Sequence, residues 1–210
     1  MKPKTDEINK GKQRIIDAAI EVIKEKGVTE TSVRDIAAKA GITTGSIYHH
    51  YKNREEVLFD VLHKTLHISP RISNNPSTKT KNREDVLAEI CDGIKERFLK
   101  KDEQRFYILL LIDVIAKNNE LKDRYADYYK NILKDTGDLF YYAFGIENEK
   151  MKKAVASILV MALDGFAIQQ SLEAFPENTE EMIRVFIEFF SESIPVYLEK
   201  HNIDYSKPIS

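Results

Sequence analysis

Among 210 residues there is one cysteine, Cys91. A single thiol excludes an internal disulfide and a cysteine-built zinc finger, and on a helix it reads as a small apolar residue. No apolar run approaches the roughly 20 residues that a membrane span needs. Met1–Asn9 is polar, so neither a signal peptide nor a membrane anchor is expected, and the cytoplasm is the expected location. There is no Gly-rich phosphate loop, no nucleophile elbow and no His-Glu-x-x-His. The expectation is therefore a protein that is not an enzyme and that uses no cofactor and no metal. Period-2 alternation, hairpin turn signals and internal repeats are absent too, which argues against strands. A surplus of positive charge is also missing: 32 Lys and Arg stand against 34 Asp and Glu, for a net charge of −2. That argues against a generally basic nucleic-acid-binding coat.

What is present is helical periodicity along nearly the whole chain. With 42% hydrophobic and 31% charged residues the chain has the content of a folded protein. The apolar stripe Ile15, Ala19, Val22, Ile23 predicts a first helix over about Gly11–Lys26, stopped by Gly27. Ser32 is placed to cap a short helix whose apolar face is Ile36, Ala37 and Ala40, and Gly41 closes it. Thr43 then caps another helix, reaching about Tyr51. Asn53-Arg-Glu-Glu56 reads as a capping box before a fourth helix carrying Val57, Leu58, Val61 and Leu62. The Ser, Asn, Pro, Thr and Lys-rich stretch Ser69–Lys81 reads as an exposed loop between domains. Five helices are expected after it, over about Asn82–Leu99, Asp102–Lys117, Leu121–Phe144, Glu147–Ala174 and Asn178–Lys200. Pro176 stops the fourth, and Asn178-Thr-Glu-Glu181 is a second capping box. Pro195 is expected to kink the last helix.

The two short helices after Gly27 form a helix-turn-helix. Ile47 and Tyr51, spaced i, i+4, can dock the second of them on a core. Thr44, Ser46, Tyr48, His49 and His50 are left facing outward, with sizes and hydrogen-bonding groups suited to a DNA major groove. Charge is distributed accordingly: Asn9–Arg54 holds nine Lys or Arg against five acids, a net of +4 on a chain of net −2.

Several runs resemble the DNA-binding domain of the TetR family of transcriptional regulators. They are Ile15 with Ala18 and Ala19, then Gly27-Val-Thr-Glu-Thr-Ser-Val-Arg-Asp-Ile-Ala37, Ala40-Gly-Ile-Thr-Thr-Gly-Ser-Ile-Tyr-His-His-Tyr51 and Lys52-Asn-Arg-Glu-Glu-Val-Leu58. The resemblance covers roughly a quarter of the chain, from about Gly11 to Leu62. It implies an all-α protein with a DNA-binding domain over 1–52, a connecting helix over 53–68 and a ligand-binding and dimerisation domain over 82–210. The implied partners are a double-stranded operator, a small-molecule inducer and a second copy of the chain. The inducer would release a repressor from DNA.

The matching positions and their chemistry nominate the contacts. Lys52 and the Tyr48 hydroxyl suit phosphates, and Thr31, Ser32 and Arg34 are expected to face the DNA backbone. Thr43 caps the reader, Thr44, Ser46 and His49 are the expected base readers, and Gly45 lets the backbone approach closely. The reader helix has no Arg or Lys, so the commonest guanine contact is missing from it. His50 stands where the family commonly has an aromatic and is read as packing or reading.

The resemblance also implies an apolar cavity in the C-terminal part, and an aromatic-rich set is expected to line it: Phe106, Tyr107, Leu110, Tyr125 and Tyr128, with Asp113 and Asp164 as polar anchors. A buried acid needs a partner or a cation, so a cationic or polar inducer is one expectation and local pairing the other. The last two helices are apolar over more than one stripe, which predicts that Ile158, Met161, Phe166, Phe186, Phe189 and Phe190 serve a four-helix dimer interface. Two other readings stay open on the residues alone. One is a helical protein–protein adaptor with a degenerate reader. The other is a metal-responsive regulator using His63 and His67, which lie i, i+4 on one helix.

Overall fold

The computed structural model describes residues 4–65, 72–75, 78, 81–117, 121–174 and 179–201. The side chains of residues 4–9, 65, 113, 117 and 121 lie outside that description. The architecture is all-α: a helix-turn-helix domain followed by a helical C-terminal domain, with no strand among the described residues. The helices are α1 (Lys4–Lys26), α2 (Val33–Ala40), α3 (Thr44–Tyr48), α4 (Arg54–Thr65), α5 (Arg83–Leu99), α6 (Lys101–Lys117), α7 (Leu121–Phe144), α8 (Glu149–Ser171) and α9 (Thr179–Lys200). The chain divides into two compact units. One is Met1–Leu66 with Leu109–Lys122, and the other is His67–Ile108 with Asp123–Ser210. The boundary thus falls inside α6, whose second half belongs with the N-terminal residues.

Glycines in the left-handed region close α1, α2 and α7, at Gly27 (φ 81°), Gly41 (φ 62°) and Gly145 (φ 68°), as their positions in the sequence require. Asn82 caps α5, its side chain accepting from the Asp85 amide at 2.8 Å. Other boundaries moved for identifiable reasons. α1 begins at Lys4 and not near Gly11, because Lys4–Lys10 holds one apolar residue, Ile8, and gives periodicity nothing to register. α3 ends at Tyr48, three residues early. α8 begins after Asn148, whose side chain accepts from the Met151 amide at 3.1 Å. It ends at Ser171 because Glu173 adopts φ 55° while Ala174 N–H reaches back to the Gln169 carbonyl. Asn178 and Pro176 lie outside the described residues. So does much of the expected Ser69–Lys81 loop; of what is described, Asn74 and Asn75 are exposed while Ile72 and Thr78 are buried. Ile72 joins the core, and the buried Thr78 hydroxyl donates to the Ile72 carbonyl at 2.7 Å.

In the N-terminal unit Ile15, Ala19, Ile36, Ile47, Val57, Leu58 and Leu62 are buried together as its core. Fully burying each Ile, Leu or Val is worth about 1.5–3 kcal/mol before entropy is subtracted. In the C-terminal unit the core runs through Val86, Ile90, Phe98, Phe140, Phe144, Ile146, Leu163, Phe166 and Leu198. Phe98 is its centre, with its ring centroid 3.7 Å from that of Phe166 and 5.5 Å from that of Phe186.

Candidate nucleic-acid interface

The reader is set up by short-range hydrogen bonds. Ser32 Oγ accepts from the Asp35 amide at 3.2 Å, and Asp35 Oδ2 accepts from the Ser32 amide at 3.1 Å, a complete capping box. Lys26 Nζ meets Asp35 Oδ1 at 2.5 Å. That contact, with the Ser32 side-chain and backbone bonds, pulls the Asp35 carboxyl down to about 2. On α3, Thr43 Oγ1 accepts from the Ser46 amide at 3.1 Å and lies 2.9 Å from Ser46 Oγ. Ile47 is the buried residue of this five-residue helix, and Tyr51 is buried just beyond it, so the expected docking pair holds α3 in place. What remains faces out: Gly45, Tyr48 and His49 are exposed, and Thr44 and Ser46 are half-buried. Tyr48 keeps 56% of its surface in solvent, a large value for an aromatic ring.

Gly45 has no reason within the chain to be a glycine. A Cβ there would meet only Thr43 Oγ1, at 3.6 Å, an ordinary contact. Gly11 is different. A Cβ on it would come within 2.8 Å of His50 Nε2, so the His50 ring occupies a niche on α1 and packs. That decides the reading of His50 which the sequence left open.

Thr31 and Ser32 are placed differently from Arg34 and Lys52. Thr31 is buried at 2% exposure, with its hydroxyl spent on the Gly27 carbonyl at 2.7 Å, so it cannot face DNA. Ser32 is committed to the cap. Arg34 and Lys52 are exposed, as a phosphate contact needs. The basic surplus is also smaller than it counts. Lys39 is held by Glu25 at 2.6 Å and Glu21 at 3.3 Å, and Lys26 by Asp35. Arg54 is a positioning residue that sequence reasoning counted only as charge. From the first turn of α4 its guanidinium donates to the Thr31 and Val28 carbonyls, fixing the turn that precedes α2. No local signal marks it, since those carbonyls lie 23 and 26 residues earlier.

The C-terminal candidates separate in three ways. Phe106, Tyr107, Tyr125, Tyr128 and Asp164 share one compact unit, whereas Leu110 and Asp113 fall in the other, and the Asp113 side chain is outside the description. Asp164 is paired within its own unit. It accepts from Arg97 at 2.6 Å and from the Tyr129 hydroxyl at 2.8 Å. Burial, reinforced by the Asp164 charge and hydrogen bond, pushes the Tyr129 phenol far above its usual range, and burial pushes Tyr128 to about 12. Arg97, missed in the sequence, sits over the Tyr107 ring at 5.8 Å. The dimer candidates divide as well. Ile158, Met161 and Phe189 are exposed, whereas Phe166 is buried on Phe98, and the half-buried Phe186 and Phe190 pack against the same core, so these three have partners within the protomer. Of the histidine pair, His67 lies outside the described residues, and the His63 ring is 6.4 Å from Phe59. No group of three metal-ligating side chains occurs among the described residues, and no helix there is long and apolar enough to cross a membrane.

Comparison with known proteins places this geometry. Residues 15–61 match the family model of bacterial regulatory proteins, tetR family. The chain is similar to the uncharacterized HTH-type transcriptional regulator YerO of Bacillus subtilis, at 28% identity over 159 residues, 74% of this chain and 53% of that protein. Over 56 residues it is 38% identical to the HTH-type transcriptional repressor KstR2 of Mycobacterium tuberculosis, 27% of this chain and 28% of that one. The chain thus spans about half of the first relative's length and less of the second's. Its fold is that of the fatty acid degradation regulator FadR from Bacillus halodurans. The TM-score is 0.62 at 19% identity, covering 85% of this chain and 97% of that structure.

Proposed function

We propose that this chain, a transcriptional regulator of the TetR family, represses by binding a palindromic operator as a homodimer and lets go when a small molecule occupies its C-terminal unit. The observation that carries the DNA-binding part is the outward face of α3. Gly45, Tyr48 and His49 are exposed on a helix anchored by Ile47, with Lys52 and Arg34 exposed nearby in sequence. Thr44, Ser46 and His49 read base edges, Gly45 lets the backbone in, and Tyr48, Arg34 and Lys52 hold phosphates. Thr43 contributes by holding Ser46 in place.

The homodimer reading rests on two unpartnered stripes. On α8 and its C-cap, Ile158 (57% exposed), Met161 (63%), Gly165, Ile168 and Leu172 recur at intervals of three and four residues. On α9, Val185, Phe189 (69%) and Val196 follow at intervals of four and seven. A Cβ on Gly165 would meet nothing within 4 Å, so the surface of α8 is open there and a partner helix can approach closely. Two helices from each copy then bury these stripes as a four-helix bundle. The inducer reading rests on the aromatic set around Tyr107, Tyr128 and Tyr129. Release is linkage: the inducer must bind the arrangement that does not fit DNA more tightly, typically by about 1–3 kcal/mol.

The test is footprinting on the DNA flanking the gene, repeated across a salt series and with the Tyr48→Ala, Lys52→Ala double variant. The expected result is a protected palindrome whose affinity falls steeply with salt. The double variant should bind about a hundredfold more weakly, since two contacts per half-site are lost while the fold is kept. Undiminished affinity in the double variant would overturn the assignment of α3 as reader.

A further inference from the structure

Two hydrogen bonds fix the orientation of two amides in the C-terminal unit. Gln170 Nε2 donates to the Phe98 carbonyl at 3.4 Å. That turns Gln170 Oε1 toward Gln104, whose Nε2 donates to it at 3.1 Å. The Phe98 carbonyl can only accept, so neither amide can be reversed without setting two oxygens against each other. Gln104 is only 1% exposed, and its Oε1 is left buried and unbonded among the described residues. Arg97 is in a matching state. One guanidinium nitrogen is held by Asp164, while Nε–H is buried without an acceptor among the described residues.

These two groups come from consecutive helices, on either side of one connecting residue. Arg97 lies near the end of α5 and Gln104 in the first turn of α6, with Lys100 alone between the helices. Both hydrogen-bond to side chains of α8. Tyr107 stands one turn beyond Gln104 on α6, and the Arg97 guanidinium lies over its ring. A buried acceptor and a buried donor left open are each costly, and such groups in native proteins call for a partner. The charges nearby already cancel: Arg97 is matched by Asp164, Tyr129 is a neutral donor and the rest are amides. An ionised partner would add a buried charge with nothing to balance it.

We propose that Gln104 Oε1 and Arg97 Nε–H form the polar end of a ligand site in the C-terminal unit. Its ligand is an uncharged molecule carrying a hydrogen-bond donor and acceptor, an alcohol or carboxamide, on an aromatic body that lies against Tyr107, Tyr128 and Tyr129. This names the chemical class of the inducer and rests on the inducer reading above. It also replaces the cationic ligand that an unpaired Asp164 would have selected.

The test uses the full chain and four probes that share one ring system: 2-naphthylmethanol, 2-naphthamide, 2-naphthoate and 2-naphthylmethylamine. Binding at millimolar concentration is read by saturation-transfer NMR and calorimetry. The two neutral probes should bind, and Gln104→Met should weaken them about tenfold, the worth of one buried hydrogen bond. The same variant also removes the donor to Gln170 Oε1, so its melting temperature is measured alongside to separate lost binding from a lost fold. Gln104→Glu, which puts a carboxylate at the same place, should reverse the preference toward the amine. Equal or better binding of the charged probes overturns the proposal. So does binding indifferent to Gln104→Met, and so does no binding by any probe. Operator affinity is measured alongside. Probes that bind through Gln104 yet leave the DNA complex intact would uphold the site and overturn the inducer reading. Absence of binding by every probe, in a chain that still binds its operator, would overturn the site and leave the inducer reading standing.

Discussion

The two compact units differ in how far apart in sequence their decisive contacts lie. In the helix-turn-helix the caps and turn bonds span three or four residues, Ser32 with Asp35, Thr43 with Ser46 and Thr31 with Gly27, while Arg54 reaches back 23 and 26 residues. In the C-terminal unit the contacts that build the buried cluster on Asp164 and Gln170 span 35 to 72 residues: Tyr129 with Asp164, Arg97 with Asp164, Gln170 with Phe98. A reader built from local bonds can be shaped by a short segment. A cluster built from remote ones exists only once α5, α6, α7 and α8 have packed.

The contrast predicts where substitutions hurt. Asp164→Ala should have the largest effect. It strands the Arg97 charge and removes the acceptor of Tyr129, for a loss of about 3–5 kcal/mol in urea unfolding. Loss under about 1 kcal/mol would mean the remote cluster is no more costly to break than a local cap. Phe189→Glu tests the other face of the C-terminal unit. It should leave the protomer folded and weaken self-association about a hundredfold in sedimentation equilibrium, as expected for a charge placed in an interface hot spot. An unchanged dimer would show that the exposed stripe of α9 is not the contact.

Gly45→Ala separates fold from function in the local unit. The added Cβ fits, and alanine favours the helix by up to about 1 kcal/mol, so thermal stability should hold or rise. Operator affinity should fall about tenfold if the backbone approaches DNA there. The smallest effect concerns pH. The folded-state carboxyl of Asp35 titrates near 2, below the usual 3.8. Its contribution is therefore present above pH 4 and is lost as pH falls from 4 toward 2. Asp35→Asn should flatten the unfolding midpoint over that window, and an unchanged slope would remove the capping box from the acid response. Because Asp35 lies at the surface, added salt should also blunt the effect of Lys26.

Much of the fold was legible because its signals are local. Gly27, Gly41 and Gly145 end helices where a positive φ is needed, and Ser32, Thr43 and Asn82 begin them. The misreadings share one physical origin. Thr31 looked like a DNA contact because a threonine before a helix is polar, yet the Gly27 carbonyl claims its hydroxyl. Phe166, Phe186 and Phe190 looked like interface because α8 and α9 are apolar on several sides. Which side meets Phe98 and Phe140 depends on helix packing, which periodicity does not state. α1 was cut short because its first turn has no apolar stripe.

The sequence by itself determined the helical elements, the turn geometry of the reader and the polar character of its outward face, since each depends on residues a few positions apart. Only the tertiary structure decided that His50 packs on Gly11, that Arg54 clasps the turn before α2, that Asp164 is neutralised by Arg97 and that Gln104 keeps a buried acceptor open. Each of these is set by groups brought together from distant segments, and side-chain hydrogen bonding in a buried site is fixed by the whole set of neighbours at once.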